Sequence, residues 1–179
     1  MIYMFLAEGF EEVEALCPLD LMRRAGLSVT TVGVGSKRIC GAHGITVEAD
    51  IVDTDYCDDT PEMIFLPGGM PGTLNLGASQ TVCHAIKTAV QSNAYLAAIC
   101  AAPSILGDMG LLTAKEATCY PGFEDRLCGA VLSEKKVVRD GRILTAAGMG
   151  VALEFGLLIV ETLCGTKKAT ELRHAVIAD

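Results

Sequence analysis

Cys100 is the residue around which chemistry could gather. It stands in the stretch Tyr95-Leu-Ala-Ala-Ile-Cys-Ala-Ala-Pro-Ser104. The apolar run from Tyr95 to Ile99 reads as a buried strand, and Ala101, Ala102 and Pro103 read as the start of a helix. A strand that stops at a nucleophile and turns at once into a helix has the form of a nucleophile elbow. Such a turn crowds the residues two before and two after the cysteine, and here they are the small Ala98 and Ala102. The helix aims its first N–H groups and the positive end of its dipole at the sulfur, which favours thiolate over thiol. Pro103 suits a first helical turn, where a missing N–H costs nothing. The competing reading is a buried cysteine packed as a small hydrophobe. The local pattern does not choose between the two.

Two further stretches offer what a nucleophile needs. Gly68-Gly69 closes an apolar run, and bare glycine N–H groups at a strand end can face a ligand as an oxyanion hole requires. A tight turn would use the same residues. If the two strand ends are neighbours in a parallel sheet, the N–H groups of Gly69 and Ala101 flank the sulfur. Glu14 falls in line, on helical spacing, with Phe10, Cys17 and Leu21, whereas Glu11 and Glu12 fall off that stripe. Burial would raise the pKa of Glu14, so that a protonated carboxyl could donate to a thiolate and then serve as general acid or base. The alternative is a solvated carboxylate at a helix start. His43, His84 and His174 read as structural or solvated, so a Cys-His dyad has little support.

The elements that must carry these residues alternate between strand and helix. Ile2 to Ala7 is apolar without alternation, as in a strand buried on both faces. Glu11 to Cys17 begins a helix with carboxylates where the dipole favours them. Pro18 kinks or restarts that helix, which ends through Arg23-Arg24 at Gly26. Leu27 to Val34 is a second strand, completing a β-α-β unit and implying a parallel sheet. Lys37 to Cys40 and Ile45 to Glu48 read as short strands around Gly41 and Gly44, and residues 50–59 as an acidic, solvated loop. Glu62 to Leu66 is a buried strand, and Gln80 to Gln91 is a helix leading to the elbow strand. The helix after the elbow ends near Gly110. Ala117 to Tyr120 reads as a short strand. Asp140-Gly141, between Lys136 to Arg139 and Arg142 to Thr145, signals a hairpin. Val151 to Leu163 is a long apolar helix, and Thr166 is expected to cap a last one. The sum is a doubly wound α/β sheet, covered on both faces, with a small added hairpin. Ligands in such folds sit at the carboxyl ends of the strands.

Composition narrows the function classes. The 179 residues fit a single domain, residues 1–179, and 51% are apolar. A net charge of −8 argues against a nucleic-acid or anionic-membrane surface, since both need clustered Lys and Arg. The eight cysteines lie singly, with no CxxC pair, which disfavours a zinc site or a thioredoxin motif, and no metal is expected. No leader segment is apparent, and no apolar run reaches the roughly 20 residues of a membrane span. The chain therefore reads as a reduced, cytoplasmic protein.

The residues taken together match a known family. Ala7-Glu8-Gly9-Phe10-Glu11-Glu12-Val13-Glu14, Met22-Arg23-Arg24-Ala25-Gly26, Leu66-Pro67-Gly68-Gly69, Ala97-Ala98-Ile99-Cys100-Ala101-Ala102-Pro103 and Asp140-Gly141 with Leu144-Thr145 resemble the DJ-one branch of the ThiJ/PfpI superfamily. The resemblance covers nearly the whole chain. It implies a flavodoxin-like three-layer α/β/α sandwich with a mostly parallel sheet, and a homodimer. It also implies a reactive elbow cysteine paired with a protonated glutamate, at Cys100 and Glu14, with backbone donors at Gly68, Gly69 and Ala101. Three positions depart from the pattern. Ala101 stands where the protease-like branch has His, which lowers a peptidase reading. Tyr120 stands where some members have a His facing the cysteine. Arg24 matches an arginine of the pocket on the dimer side, but its partner on the hairpin is replaced by Ala42. The implied activity is cofactor-free glyoxalase or deglycase chemistry on methylglyoxal, glyoxal or early glycation adducts of proteins and nucleotides. The alternative is a redox-responsive stress sensor or chaperone acting through oxidation of Cys100. A cysteine peptidase or amidase comes last.

Overall fold

A computed structural model of the chain describes residues 1–57 and 60–178. The elements in chain order are β1 (Ile2–Leu6), α1 (Glu12–Arg24), β2 (Val29–Gly33), β3 (Arg38–Cys40), β4 (Thr46–Glu48), β5 (Ile51–Val52) and β6 (Met63–Leu66). There follow α2 (Gly72–Ala78), α3 (Gln80–Gln91), β7 (Tyr95–Ile99), α4 (Pro103–Asp108), β8 (Glu116–Ala117), β9 (Val131–Leu132), β10 (Val137–Asp140), β11 (Ile143–Ala146), α5 (Ala152–Cys164) and α6 (Thr166–Ala175).

Seven strands form one sheet in the order β10-β11-β7-β6-β1-β2-β5. Every pairing in it is parallel except β10 with β11. Successive side chains of a strand point to opposite faces, and here each face is covered. Phe5, Ile64, Leu66, Leu96 and Ala98 meet Val82, Ile86, Ile105 and Leu106 of α3 and α4. Ile2, Met4, Met63, Phe65, Ala97 and Ile99 meet Ala15, Leu19, Met22, Phe155 and Ile159 of α1 and α5. This is the flavodoxin-like three-layer α/β/α sandwich, and it explains why the strands β1, β6 and β7 lack polar alternation. α6 packs outside α5 through Leu172 and Ala169 against Leu157, Val160 and Leu21. Among the described residues, no helix is long and apolar enough to cross a membrane.

Several elements differ from the sequence expectation. α1 runs unbroken through Pro18. A proline inside a helix is unfavourable by about 3 kcal/mol relative to alanine, and burial against α5 offsets it: Pro18 and Leu21 lie directly on Gly156. α2 forms from a stretch to which the sequence reading assigns no element, because Thr73 donates its N–H to Gly69 (2.9 Å) and Leu76 is fully buried. Part of the acidic loop is the edge strand β5, paired to β2; the part at residues 58–59 lies outside the described residues. Of Ala117 to Tyr120, only Ala117 is in a strand. Thr166 is the first residue of α6 rather than its cap, which is Gly165 with φ +87°. The hairpin around Gly141 continues the main sheet, because β11 pairs with β7. A separate ribbon, β3 with β4, carries the loop 41–45.

The α1–α5 contact has no room for a side chain at residue 156. A Cβ there would lie 2.6 Å from Leu21 Cδ1 and 3.0 Å from Pro18 Cα. Gly156→Val is expected to destabilise the fold by about 1–3 kcal/mol, read as a lower urea midpoint at unchanged slope.

Candidate active site

β6 and β7 are adjacent and parallel, with Leu66 opposite Ala98, so both strands end at the same rim of the sheet. Cys100 follows β7 in the left-handed region, at φ +65°. A residue with a side chain resides there only when its surroundings over-determine it. Its N–H donates to Ala146 C=O (2.8 Å), and its C=O accepts the N–H of Tyr120 (2.7 Å). The next strand end and the Tyr120 loop thus hold both backbone groups of the elbow. Ala98 and Ala102 are fully buried beside it. The N–H groups of Gly69 and Ala101 both hydrogen-bond the sulfur. α4 begins only at Pro103 and is six residues long, so Ala101 and Ala102 form a turn rather than helix.

Glu14 reaches the sulfur from the first turn of α1. Glu11 caps that turn, its carboxylate accepting the Glu14 N–H at 2.7 Å. The Glu14 side chain is buried. Its Oε2 accepts the Gly68 N–H (3.1 Å), and the carboxyl is further bonded by the Met149 N–H and by the Cys100 thiol. Gly68 makes the meeting possible: a Cβ on it would lie 2.5 Å from Glu14 Oε2 and 2.6 Å from Cys100 Cβ. Gly69, at φ +91°, lets the chain entering α1 pass, since a Cβ there would lie 2.3 Å from the Glu11 nitrogen. The Gly68 N–H is therefore engaged by the carboxyl. The donors that face the sulfur are Gly69 and Ala101.

The electrostatics alter one expectation. Burial raises Glu14 to about 7, the charge of Glu11 adding to the effect against the hydrogen bond from Cys100. Burial and then the charge of Glu14 push Cys100 up to about 12, although two N–H groups lower it. Burial first, and then the carboxylate beside the sulfur, oppose the depression of the thiol anticipated from a helix dipole. The two groups share their protons. The pair releases one near 7 and holds the other to high pH. Around neutrality one negative charge resides on Glu14 or on Cys100, and a proton passing between them converts thiol and carboxylate into thiolate and carboxylic acid.

Tyr120 lines the site. Its ring lies against Gly148, where a Cβ would be 3.3 Å from Tyr120 Cδ2 and 3.7 Å from Glu14 Oε1. Ring edge and carboxyl thus lie within about 7 Å of each other across the glycine. Within one chain, Arg24 stands apart from Glu14 and Cys100. It is ten residues further along α1, about 15 Å by helical rise, and pairs with Asp20 at 2.5 Å. Ala42 donates its N–H to Phe10 C=O (2.7 Å). His84 lies beside Thr88 on α3, and His43 pairs with Glu12 (2.9 Å). Two features escaped the sequence reading. Glu12 is buried, although the apolar stripe excludes it, and the Met149 N–H joins the site from the far end of the chain. No local pattern signals either one. Among the described residues, Glu11, Glu12 and His43 bring donor atoms within 4.8 Å of one another. Both Glu12 oxygens are engaged by the 41–45 loop, so the cluster clamps that loop to α1.

With this geometry in place, comparison with known proteins is informative. Residues 1–162 match the model of the DJ-1/PfpI family. The chain is 38% identical over 175 residues to Protein DJ-1 homolog B of Arabidopsis thaliana; the match covers 96% of this chain and 40% of that protein, so the chain spans less than half of that relative's length. It is 34% identical to Glutathione-independent glyoxalase DJR-1.2 of Caenorhabditis elegans, over 92% of this chain and 89% of that one. The structure superimposes on oxidized Toxoplasma gondii DJ-1 with a TM-score of 0.94 at 30% identity, covering 98% and 97% of the two chains.

The raised pKa of Glu14 has a consequence for stability. Below its ordinary value of 4.5 the carboxyl is neutral both folded and unfolded. Between 4.5 and about 7 the unfolded chain ionises and the folded one does not, so stability falls as pH rises through that window. Glu14→Gln removes this titration. From about pH 4 to about pH 8, its stability relative to wild type is expected to rise by up to about 3 kcal/mol in urea unfolding.

Proposed function

The chain belongs to the DJ-1/PfpI family, and on that premise we propose that it is a cysteine-dependent glyoxalase or deglycase that works without a cofactor. Its substrates on this reading are methylglyoxal, glyoxal or early glycation adducts of proteins and nucleotides. The observation that carries the proposal is the meeting of the buried Glu14 carboxyl with the Cys100 sulfur, itself faced by the N–H groups of Gly69 and Ala101. The likeness to a nematode glyoxalase supports the same direction.

The proposed reaction needs only these groups and water. Glu14 takes the thiol proton as the sulfur attacks the aldehyde carbon, and the carbonyl π pair moves onto oxygen. The N–H groups of Gly69 and Ala101 stabilise the oxyanion, and Glu14 returns its proton to give a hemithioacetal. Ionised once more, Glu14 removes the hydrogen from that carbon as general base. Reprotonation at the neighbouring carbon, with the hydroxyl proton passing to the former ketone oxygen, then gives a thioester. Water hydrolyses it to lactate and frees Cys100. The aldehyde carbon is oxidised and the ketone carbon reduced, so the balance is methylglyoxal plus water and no outside electron acceptor enters.

A second reading has its own support. Cys100 is half-buried rather than sealed, and it faces a carboxyl and two N–H groups able to hold oxygens on sulfur. Two equivalents of peroxide would convert its thiolate into sulfinate and water, which is effectively irreversible in most proteins. We further propose a homodimer. Val13 and Ile45, at 44% and 55% exposure, are large apolar side chains next to Glu12 and its clamp loop, as an isologous contact would need.

Wild-type protein is expected to form lactate from methylglyoxal, and Cys100→Ala none. Lactate from both would sink the proposal. Should neither turn over while peroxide adds two oxygens to Cys100 alone, by mass spectrometry, the redox reading replaces it. Light scattering is expected to give about twice the 18.8 kDa of one chain, and Ile45→Glu to halve it.

A further inference from the structure

Glu12 is only 3% exposed, yet it takes no part in the proposed chemistry. One carboxylate oxygen accepts the N–H groups of His43 (2.8 Å) and Ile45 (3.3 Å), and the other faces His43 Nδ1 at 2.9 Å. Gly41 is pressed against the same carboxylate, where a Cβ would lie 2.3 Å from Oε1. The backbone reinforces the contact. Gly9 donates its N–H to Cys40 C=O (2.8 Å) and Ala42 to Phe10 C=O (2.7 Å). The Glu8 carboxylate accepts the Cys40 N–H (3.0 Å). On the opposite side, the same segment is held by the loop after β6: Glu11 donates its N–H to Gly68 C=O (2.9 Å), and Gly72 to Gly9 C=O (3.1 Å). Residues 9–12 are thus gripped between two loops, and the next residue but one is Glu14.

We infer that Glu12 and His43 form a clamp that sets the position of Glu14 against Cys100, which makes both of them positioning residues for this site. The inference rests on the reading of Glu14 and Cys100 as a working pair. Its physical basis is the tightness of the pair. Burial raises the Glu14 carboxyl to about 7 against the hydrogen bonds it receives from Cys100, Gly68 and Met149, and a small outward shift of the first turn of α1 admits water to it. A displacement of about 1 Å at a reacting group can lower a rate by about a hundredfold. The charges around the clamp are few. His43 faces Glu12 and, at 3.9 Å, Glu11, and the hydrogen bond to Glu12 favours its protonated form. Glu14 faces Cys100 and Glu11.

The test is the pH profile of Cys100 alkylation by iodoacetamide, followed by mass spectrometry of the peptide that carries Cys100. Wild type is expected to show an inflection near 7 that Glu14→Gln removes. Glu12→Ala releases the clamp and should move that inflection down by about one unit, as the carboxyl regains water. Glu12→Gln keeps an acceptor for the two N–H groups and should restore it. His43→Ala, at an exposed position, should shift it in the same direction but less, and it decides the matter if Glu12→Ala does not fold. An inflection unmoved in the folded variants, with only the melting temperature lowered, makes the clamp merely structural and overturns the inference. A wild-type profile with no inflection that depends on Glu14 overturns the pair itself, and the inference with it.

Discussion

One buried negative charge, shared between a carboxyl and a thiol, is the constraint on which the site depends. Burial pushes the acid up to about 7, and burial followed by the charge of that acid pushes the thiol up to about 12. A proton held in common lets one exchange create a nucleophile and an acid together. The sheet makes this possible by ending β6 and β7 side by side. Gly68 completes the arrangement by having no side chain, because any Cβ would occupy the space in which Glu14 and Cys100 meet.

Three neighbouring carboxylates on one helix turn do three different things. Glu11 caps the turn by accepting the Glu14 N–H. Glu12 turns inward and ties the ribbon loop 41–45 to the helix. Glu14 enters the site. A helix start rich in acid is favoured by the dipole whatever the side chains touch, so composition alone assigns none of these roles. The strap from Gly9 to Glu12 is what divides them. It lies between the loop after β3 and the loop after β6, and each loop binds it through backbone groups. A reactive pair on short turns gains its rigidity in this way from segments that are distant in sequence.

Much of the architecture was legible from local pattern. The strands from Ile2, Met63 and Tyr95 are apolar runs because both faces of the sheet are covered there, and the strand from Val29 is legible from its Val and Thr content. Gln80–Gln91 has a clear apolar face and a serine cap. Elements held by long-range contacts were not legible. α2 has poor helix propensity and exists because Gly69 and the core hold its first turn and Leu76. Pro18 should interrupt α1, and packing on α5 overrides it. β5 is two residues long and is defined only by its partner β2. In the site, Cys100, Glu14 and the glycines could be named from spacing and resemblance, whereas Glu12 and Met149 left no trace in the pattern.

The chain by itself determined the alternation of strand and helix, the small residues on either side of Cys100, and the placing of Glu14 on the apolar stripe of α1. These follow from side-chain size and period, which act over a few residues. Only the tertiary structure decided who holds the proton, which glycine N–H faces the sulfur and which is taken by the carboxyl, and that Glu12 is buried. Those outcomes depend on desolvation and on hydrogen bonds between residues 31 to 135 positions apart, at distances that no local pattern encodes.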